Sequence, residues 1–289
     1  MKNENLNNSE YKRVLTVQDI SCVGQCSLTV ALPILSACGL ETAVLPSAVL
    51  STHTGGFTGY TFRDLTDDMP KIREHWIREK LYFSALYTGY LGSARQIEYV
   101  KDIARDLLEE GAPLIVDPAM ADNGKLYYGF DAAFVGEMKK LVDSADIILP
   151  NITEACFLTG AEYKETYDES YVRELCDALD GGGKRVVVLT GVGYREGETG
   201  VSVRIGGRDL HYPHRRIEPG SHGTGDVFAS AFVGAYMRGM SAFDSAAVAA
   251  DFTLSCIIET GRHPGHTYGA TFEPKLGELA ARLGLISAD

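Results

Sequence analysis

The stretch GSHGTGDVFASAFVGA, Gly220 to Ala235, places Gly223, Thr224, Gly225 and Asp226 directly ahead of an apolar run of helical character. Backbone N–H groups at such a helix start point along the positive end of the helix dipole, and glycine removes the Cβ that would keep an anion away from them. A carboxylate beside a resting phosphate is unfavourable for simple binding. It becomes useful if Asp226 accepts a proton from a hydroxyl that attacks phosphorus. The competing reading is that Thr224 or Asp226 merely caps the helix, a contribution of about 1 kcal/mol.

Positioning such a loop requires a scaffold. Short β-branched runs alternate with longer helix-like segments, the pattern of an α/β fold with a mainly parallel central sheet flanked by helices. The runs are RVLTVQD from Arg13, TAVLPS from Thr42, LYFSALYTG from Leu81, PLIVDPA from Pro113, DIILPN from Asp146 and RVVVLTG from Arg185. The segment from Ser93 predicts an amphipathic helix with Ile97, Val100, Ile103, Ala104, Leu107 and Leu108 on one stripe, closed by Gly111 as C-cap. VSVRIGGRDLHYPHRR, from Val201, predicts a hairpin turning at Gly206–Gly207. Helices then follow over Thr224 to about Met237, Ala242 to about Thr260, and near Lys275 to Leu283.

In open α/β sheets ligands lie beyond the carboxyl ends of the strands. The residues at those ends here are Asp19, then Tyr87 to Tyr90, Asp117 with Asp122 nearby, Asn151 and Glu154, and Thr190. For each there is a plainer reading, since Asp117–Pro118 and Pro150–Asn151 are also ordinary turn formers.

Composition narrows the function classes. With 27 Lys and Arg against 39 Asp and Glu the net charge is −12, and no basic run is present, which argues against a nucleic-acid partner and for a small ligand. The polar start lacks the apolar core of a signal peptide, and no stretch approaches the roughly 18 apolar residues of a spanning helix, so no membrane partner and a cytoplasmic location are expected. Six cysteines without a C-x-x-C pair and seven histidines without metal-ligand spacing read as buried thiols and ordinary histidines rather than a structural metal site. No G-x-x-x-x-G-K-[ST], G-x-G-x-x-G or G-x-S-x-G occurs. A phosphoryl-transfer enzyme on this plan must hold its nucleotide without a P-loop lysine.

STHTGG (Ser51 to Gly56), GYLGSA (Gly89 to Ala94), VDPAMAD (Val116 to Asp122), DIILPNITEACFLTG (Asp146 to Gly160) and GTGD together resemble the ribokinase superfamily, and within it the pyridoxal kinases, over nearly the whole chain. GTGD alone signals the superfamily; TGYLGSA with DPAM and PNITE points to the vitamin B6 branch. The resemblance implies a ribokinase-like three-layer sandwich, residues 12–289 forming one kinase domain after a flexible polar tail at 1–11. It implies ATP-dependent phosphorylation of the 5′-hydroxymethyl group of pyridoxal, pyridoxine or pyridoxamine. Asp226 matches the family's base, and Gly223, Thr224 and Gly225 match its anion hole. Asp117, Asn151, Glu154, Thr190 and Thr224 match nucleotide-binding positions. Asp117, Asp122 and Glu154 match acidic positions near Mg²⁺, with Glu154 expected to act through water. Thr54 and Tyr90 match positions lining the pyridine pocket, though Tyr90 also reads as an ordinary buried aromatic. ATP, Mg²⁺, a monovalent cation such as K⁺ and a homodimer are family expectations.

One departure stands out. Where relatives read QSH after the first strand, this chain reads QDI, so Asp19 replaces a serine that hydrogen-bonds the pyridine ring and is expected to pair with a protonated ring nitrogen. A hydroxymethylpyrimidine kinase of thiamine synthesis is the closest alternative, although its relatives more often read GTGC. A sugar or nucleoside kinase of the superfamily is another, with longer inserts between early strands than are found here. A vitamin-binding protein without turnover is a third.

Overall fold

The computed structural model describes residues 11–218 and 221–286; residues 1–10 of the expected tail, residues 219–220 and residues 287–289 lie outside the described residues. The chain begins with β1 (Arg13–Ser21), α1 (Leu28–Ala37), β2 (Glu41–Leu50), β3 (Phe62–Asp64), α2 (Met69–Glu79) and β4 (Ala85–Thr88). It continues through α3 (Ala94–Leu107), β5 (Leu114–Val116), the small hairpin β6 (Ala121–Asp122) and β7 (Lys125–Leu126), and α4 (Ala132–Ser144). Then come β8 (Ile147–Ile148), α5 (Ile152–Thr159), α6 (Glu169–Leu179), β9 (Val186–Thr190), β10 (Glu198–Ile205) and β11 (Arg208–Arg215). The last elements are α7 (Thr224–Met237), α8 (Ala242–Thr260), a 3₁₀ turn at Glu273–Lys275 and α9 (Leu276–Arg282).

Nine strands form one sheet in the order β11-β10-β9-β8-β5-β4-β1-β2-β3. The six central strands are parallel, and antiparallel β3 and β10–β11 finish the two edges. Successive side chains of a strand point to opposite faces, so neighbouring residues of one strand enter different cores. Leu15, Leu86 and Val116 pack under α2 to α6 with Ile97, Met138 and Leu175. Val14, Tyr87 and Ile115 pack under α1, α7, α8 and α9 with Ile34, Phe232 and Phe252. The result is the helix–sheet–helix sandwich expected.

The expected strands and the last three helices are present, and Gly206 and Gly207, both at positive φ, turn β10 into β11 as expected. Gly111 is a correction. α3 ends at Leu107 because the next residues leave the helix to pair with Phe83, whose N–H reaches the Leu107 carbonyl at 2.9 Å while the Glu109 N–H reaches the Phe83 carbonyl at 3.0 Å. Gly111 instead supplies the positive φ of the following turn.

The topology also locates a cleft. From β1 the chain moves outward through α1 to β2, whereas from β4 it moves the other way through α3 to β5. β1 and β4 are neighbours, so their carboxyl ends flank the switch point at which open α/β sheets bind ligands. α7 reaches this end because Gly234 lets it lie tightly on α1; a Cβ there would collide with the Cys38 sulfur. No helix among the described residues is long and apolar enough to cross a membrane.

Candidate functional site

Asp19 sits where β1 and β2 fall out of register. Gln18 pairs with Pro46 and Ile20 with Val49, so Ser47 and Ala48 of β2 together oppose Asp19. Such a bulge re-aims a side chain at the end of a strand. The Asp19 carboxylate is buried and accepts from the Ser21 hydroxyl at 3.0 Å. Burial raises its proton affinity, while hydroxyls of Ser27 and Ser21 donating to it pull the other way. Tyr90, beyond β4, stacks on Phe130 with ring centroids 5.5 Å apart, and burial followed by the Asp19 charge pushes its phenol up to about 12.

α7 starts without a side-chain cap. Gly223 is its N-cap at φ 74°, Thr224 and Asp226 are its first and third residues, and neither caps it. The capping alternative therefore fails. A Cβ at Gly223 would strike the Gln25 carbonyl oxygen, so this loop packs hard against residues 24–27. The space above Gly225 is open. Val227 to Ala235 are all buried, which fixes the helix behind the uncapped turn. Asp226 keeps some solvent contact at the base of the opening, yet protein surrounds it, and burial pushes its carboxyl up to about 7. The Ser27 N–H opposes this rise, and the nearby Asp19 charge adds to it.

Across the cleft, Asn151 and Glu154 build a capping box on α5. Asn151 Oδ1 accepts from the Glu154 N–H at 2.9 Å, and Glu154 Oε2 accepts from the Asn151 N–H at 2.9 Å. Glu154 Oε1 takes the Met120 N–H at 3.0 Å, and Asn151 Nδ2 donates to the Ala121 carbonyl at 2.8 Å. These bonds tie α5 to the hairpin that carries Asp122. Burial nonetheless lifts Glu154 to about 7, and Asp117 is raised well above the carboxylate range by burial and then by Glu154 and Asp226. Thr190 closes the row, its N–H on the Pro150 carbonyl at 2.9 Å beside Asn151.

Repelling carboxylates around an open helix start suit a divalent cation accompanied by phosphate oxygens. Among the described residues no group of three or more His, Cys, Asp or Glu side chains is arranged to hold a metal ion by itself. Asp117 is the side chain best placed for it. Glu154 has both oxygens on backbone amides, while Asp122 is exposed and engaged with Asn123.

Asp19, Tyr90, Asp117, Asn151, Glu154, Thr190 and residues 223–226 thus gather at one end of the sheet. Thr54 is carried on an exposed loop, and its side chain makes no contact that draws it in. The neighbouring His53 does reach the site. It is buried, its Nε2 lies 2.9 Å from the Tyr268 carbonyl, its Nδ1 accepts the Gly55 N–H at 3.1 Å, and its ring lies 5.9 Å from that of His222. Sequence reasoning missed His53 and Ser27, because neither lies at a strand end. For Ser27 the signal was S-C-V-G-Q-C-S, a turn-rich stretch that begins two residues after Asp19.

The phosphomethylpyrimidine kinase family model matches residues 36–271. A candidate phosphomethylpyrimidine kinase from Bacteroides thetaiotaomicron is 35% identical, with a TM-score of 0.90 and coverage of 99% of this chain and 98% of that one. A second crystal form of that protein was solved with pyridoxal. Pyridoxal kinase from Lactobacillus plantarum is 32% identical, with a TM-score of 0.87 over 94% of this chain and 97% of that one. Pyridoxal kinase of Arabidopsis thaliana is 26% identical over 95% of this chain and 90% of its own length.

Proposed function

Because the chain belongs to the phosphomethylpyrimidine kinase family and is similar to pyridoxal kinases, we propose that it transfers the γ-phosphoryl of ATP to the 5′-hydroxymethyl group of a vitamin B6 vitamer. The observation that carries the proposal is the start of α7. An uncapped first turn, open above Gly225, stands beside a carboxylate whose proton affinity lies near neutral pH. A base tuned close to the working pH accepts the hydroxyl proton as the oxygen attacks phosphorus. The N–H groups of Gly223, Thr224 and Gly225 then face the oxygens on which charge builds, and losing one such donor typically costs about 10² to 10³ in rate.

The other strand ends divide the remaining work. Asp117 and, through water, Glu154 would hold Mg²⁺, which supplies charge neutralisation of the triphosphate; Asp122 stands further out. Thr190 and Asn151 line the phosphate side. Asp19 pairs with the protonated ring nitrogen and Tyr90 covers the ring, with Thr54, next to His53, as a further ring contact. A K⁺ requirement and a homodimer belong to the same proposal; exposed Val44 and Phe62 at the β2–β3 edge support a contact between copies. Sedimentation at micromolar concentration showing only monomer would remove the dimer.

A second reading, phosphorylation of hydroxymethylpyrimidine, is favoured by the family model's own description. Both substrates present a hydroxymethyl group on a heteroaromatic ring. Coupled ADP release with Mg-ATP against pyridoxal, pyridoxine, pyridoxamine, hydroxymethylpyrimidine and ribose separates them. The proposal expects turnover on the pyridines; turnover confined to the pyrimidine or the sugar overturns it.

A further inference from the structure

We propose that Gln25 is the positioning residue of the anion hole, its main chain forming the seat of Gly223 and its side-chain amide fastening that seat to the segment that follows α8. The inference rests on the reading of Gly223 to Gly225 as the anion hole, and it names what holds the hole still from behind.

Gln25 lies between two bare backbones. On one side Gly223 abuts its carbonyl oxygen so closely that a Cβ would strike it. On the other side Gly269, bridged to Gln25 in parallel fashion, leaves no room for a Cβ beside the Gln25 backbone nitrogen and side chain. Glycine at both positions lets three stretches of chain, around residues 25, 223 and 269, stack in direct contact. A shift of Gln25 is therefore a shift of the first turn of α7.

The side chain opposes such a shift. Glu273 Oε1 accepts from Gln25 Nε2 at 3.0 Å, and because a carboxylate only accepts, the amide NH₂ must face it. That leaves Gln25 Oε1 for His266 Nε2 at 2.6 Å, so His266 carries a proton on Nε2. The Gln25 N–H adds a bond to the Tyr268 carbonyl at 3.3 Å. All three partners belong to residues 261–273, which are themselves fixed to α8. The Thr271 N–H donates to Thr260 Oγ1 at 2.8 Å, and that hydroxyl donates to the Cys256 carbonyl at 2.8 Å. The His266 and Tyr268 rings lie 4.2 Å apart. The Tyr268 carbonyl also meets His53 Nε2 at 2.9 Å, so the same segment steadies the loop that carries Thr54.

The test uses the full chain and the best substrate of the ADP-release screen. Gln25→Met keeps the length of the side chain and loses both amide bonds. Gln25→Glu keeps an acceptor toward His266 and sets like charges against Glu273; adding Glu273→Gln restores the pair with donor and acceptor exchanged. Gln25→Met and Gln25→Glu are each expected to lower kcat per folded enzyme about tenfold, because N–H groups set out of line lose part of their hold on the transferring phosphoryl. The KM of the acceptor substrate, and its Kd without nucleotide, should stay within about threefold. The paired exchange should recover kcat to within about threefold of the parent. A purely structural role would lower the melting temperature and leave kcat per folded enzyme at the parental value. That result overturns the proposal, as does a paired exchange no faster than Gln25→Glu alone. Gly223→Ala separates the proposal from the reading beneath it: parental kcat there removes the anion hole itself, whereas a slow Gly223→Ala beside a parental Gln25→Met keeps the hole and removes only the role of Gln25.

Discussion

Asp226→Asn should give a protein that is more stable than the parent at pH 8 and nearly inactive. The carboxyl is raised from 3.8 to about 7, chiefly by burial. At about 1.4 kcal/mol per tenfold, ionising it in the native state costs up to about 4 kcal/mol. Relaxation of solvent through the opening above Gly225 reduces this to on the order of 2 kcal/mol. The native state binds this proton more tightly than the unfolded chain, so the contribution is fully present below the unfolded value and is lost as pH rises through about 7. Asparagine matches the carboxylate in shape and cannot ionise. Without nucleotide, the variant should therefore melt about 4 to 8 °C above the parent at pH 8, with the gap narrowing on acidification and closing only below the unfolded value of 3.8. Turnover should fall by 10³-fold or more with ADP binding within about threefold, because the anion hole is intact. Calorimetry at three pH values, with ADP titrations, tests both halves. A variant less stable than the parent at pH 8, or a gap that does not close on acidification, would refute the account of Asp226 as a buried, ionisable base.

Three further outcomes follow from separate contacts. Gly223→Ala should lower kcat by at least about 10² and cost roughly 1 to 3 kcal/mol in urea unfolding, since positive φ and collision with the Gln25 carbonyl combine there. Asn151→Ala breaks the α5 capping box and the Ala121 bond, and should lose about 1 to 2 kcal/mol of stability by the same measurement. His53 is held below its ordinary value, first by burial. Its stabilisation is complete above the unfolded value of 6.5 and declines as pH falls, because the protonated ring can no longer accept the Gly55 N–H. Measured against His53→Gln, the parent's urea midpoint should therefore fall between pH 7 and 5, the difference between the two isolating the histidine from the buried carboxylates, whose protonation acts in the opposite sense.

The layered fold was legible because strands buried on both faces must be apolar throughout, and β5 and β9 contain little else. α1 and the β6–β7 hairpin were not. LTVALPILSA is apolar all round, so it has no stripe to read, and Pro33 stands within it. Each strand of the hairpin is only two residues long and is held by Asn151 and Glu154 from another element. Strand-end logic found the carboxylates because topology alone decides which end of a parallel sheet is open. It could not find His53, or the seating of residues 223–226 on residues 24–27, because these arise when loops distant in sequence meet. Nor could it weigh Asn151 and Glu154 between cap and ligand. The capping box answers that without choosing: a carboxylate with both oxygens on amides is rigid, and it still places its charge beside Asp117. The same economy holds at α7, where leaving the first turn uncapped sacrifices helix stability and frees the N–H groups for an incoming anion.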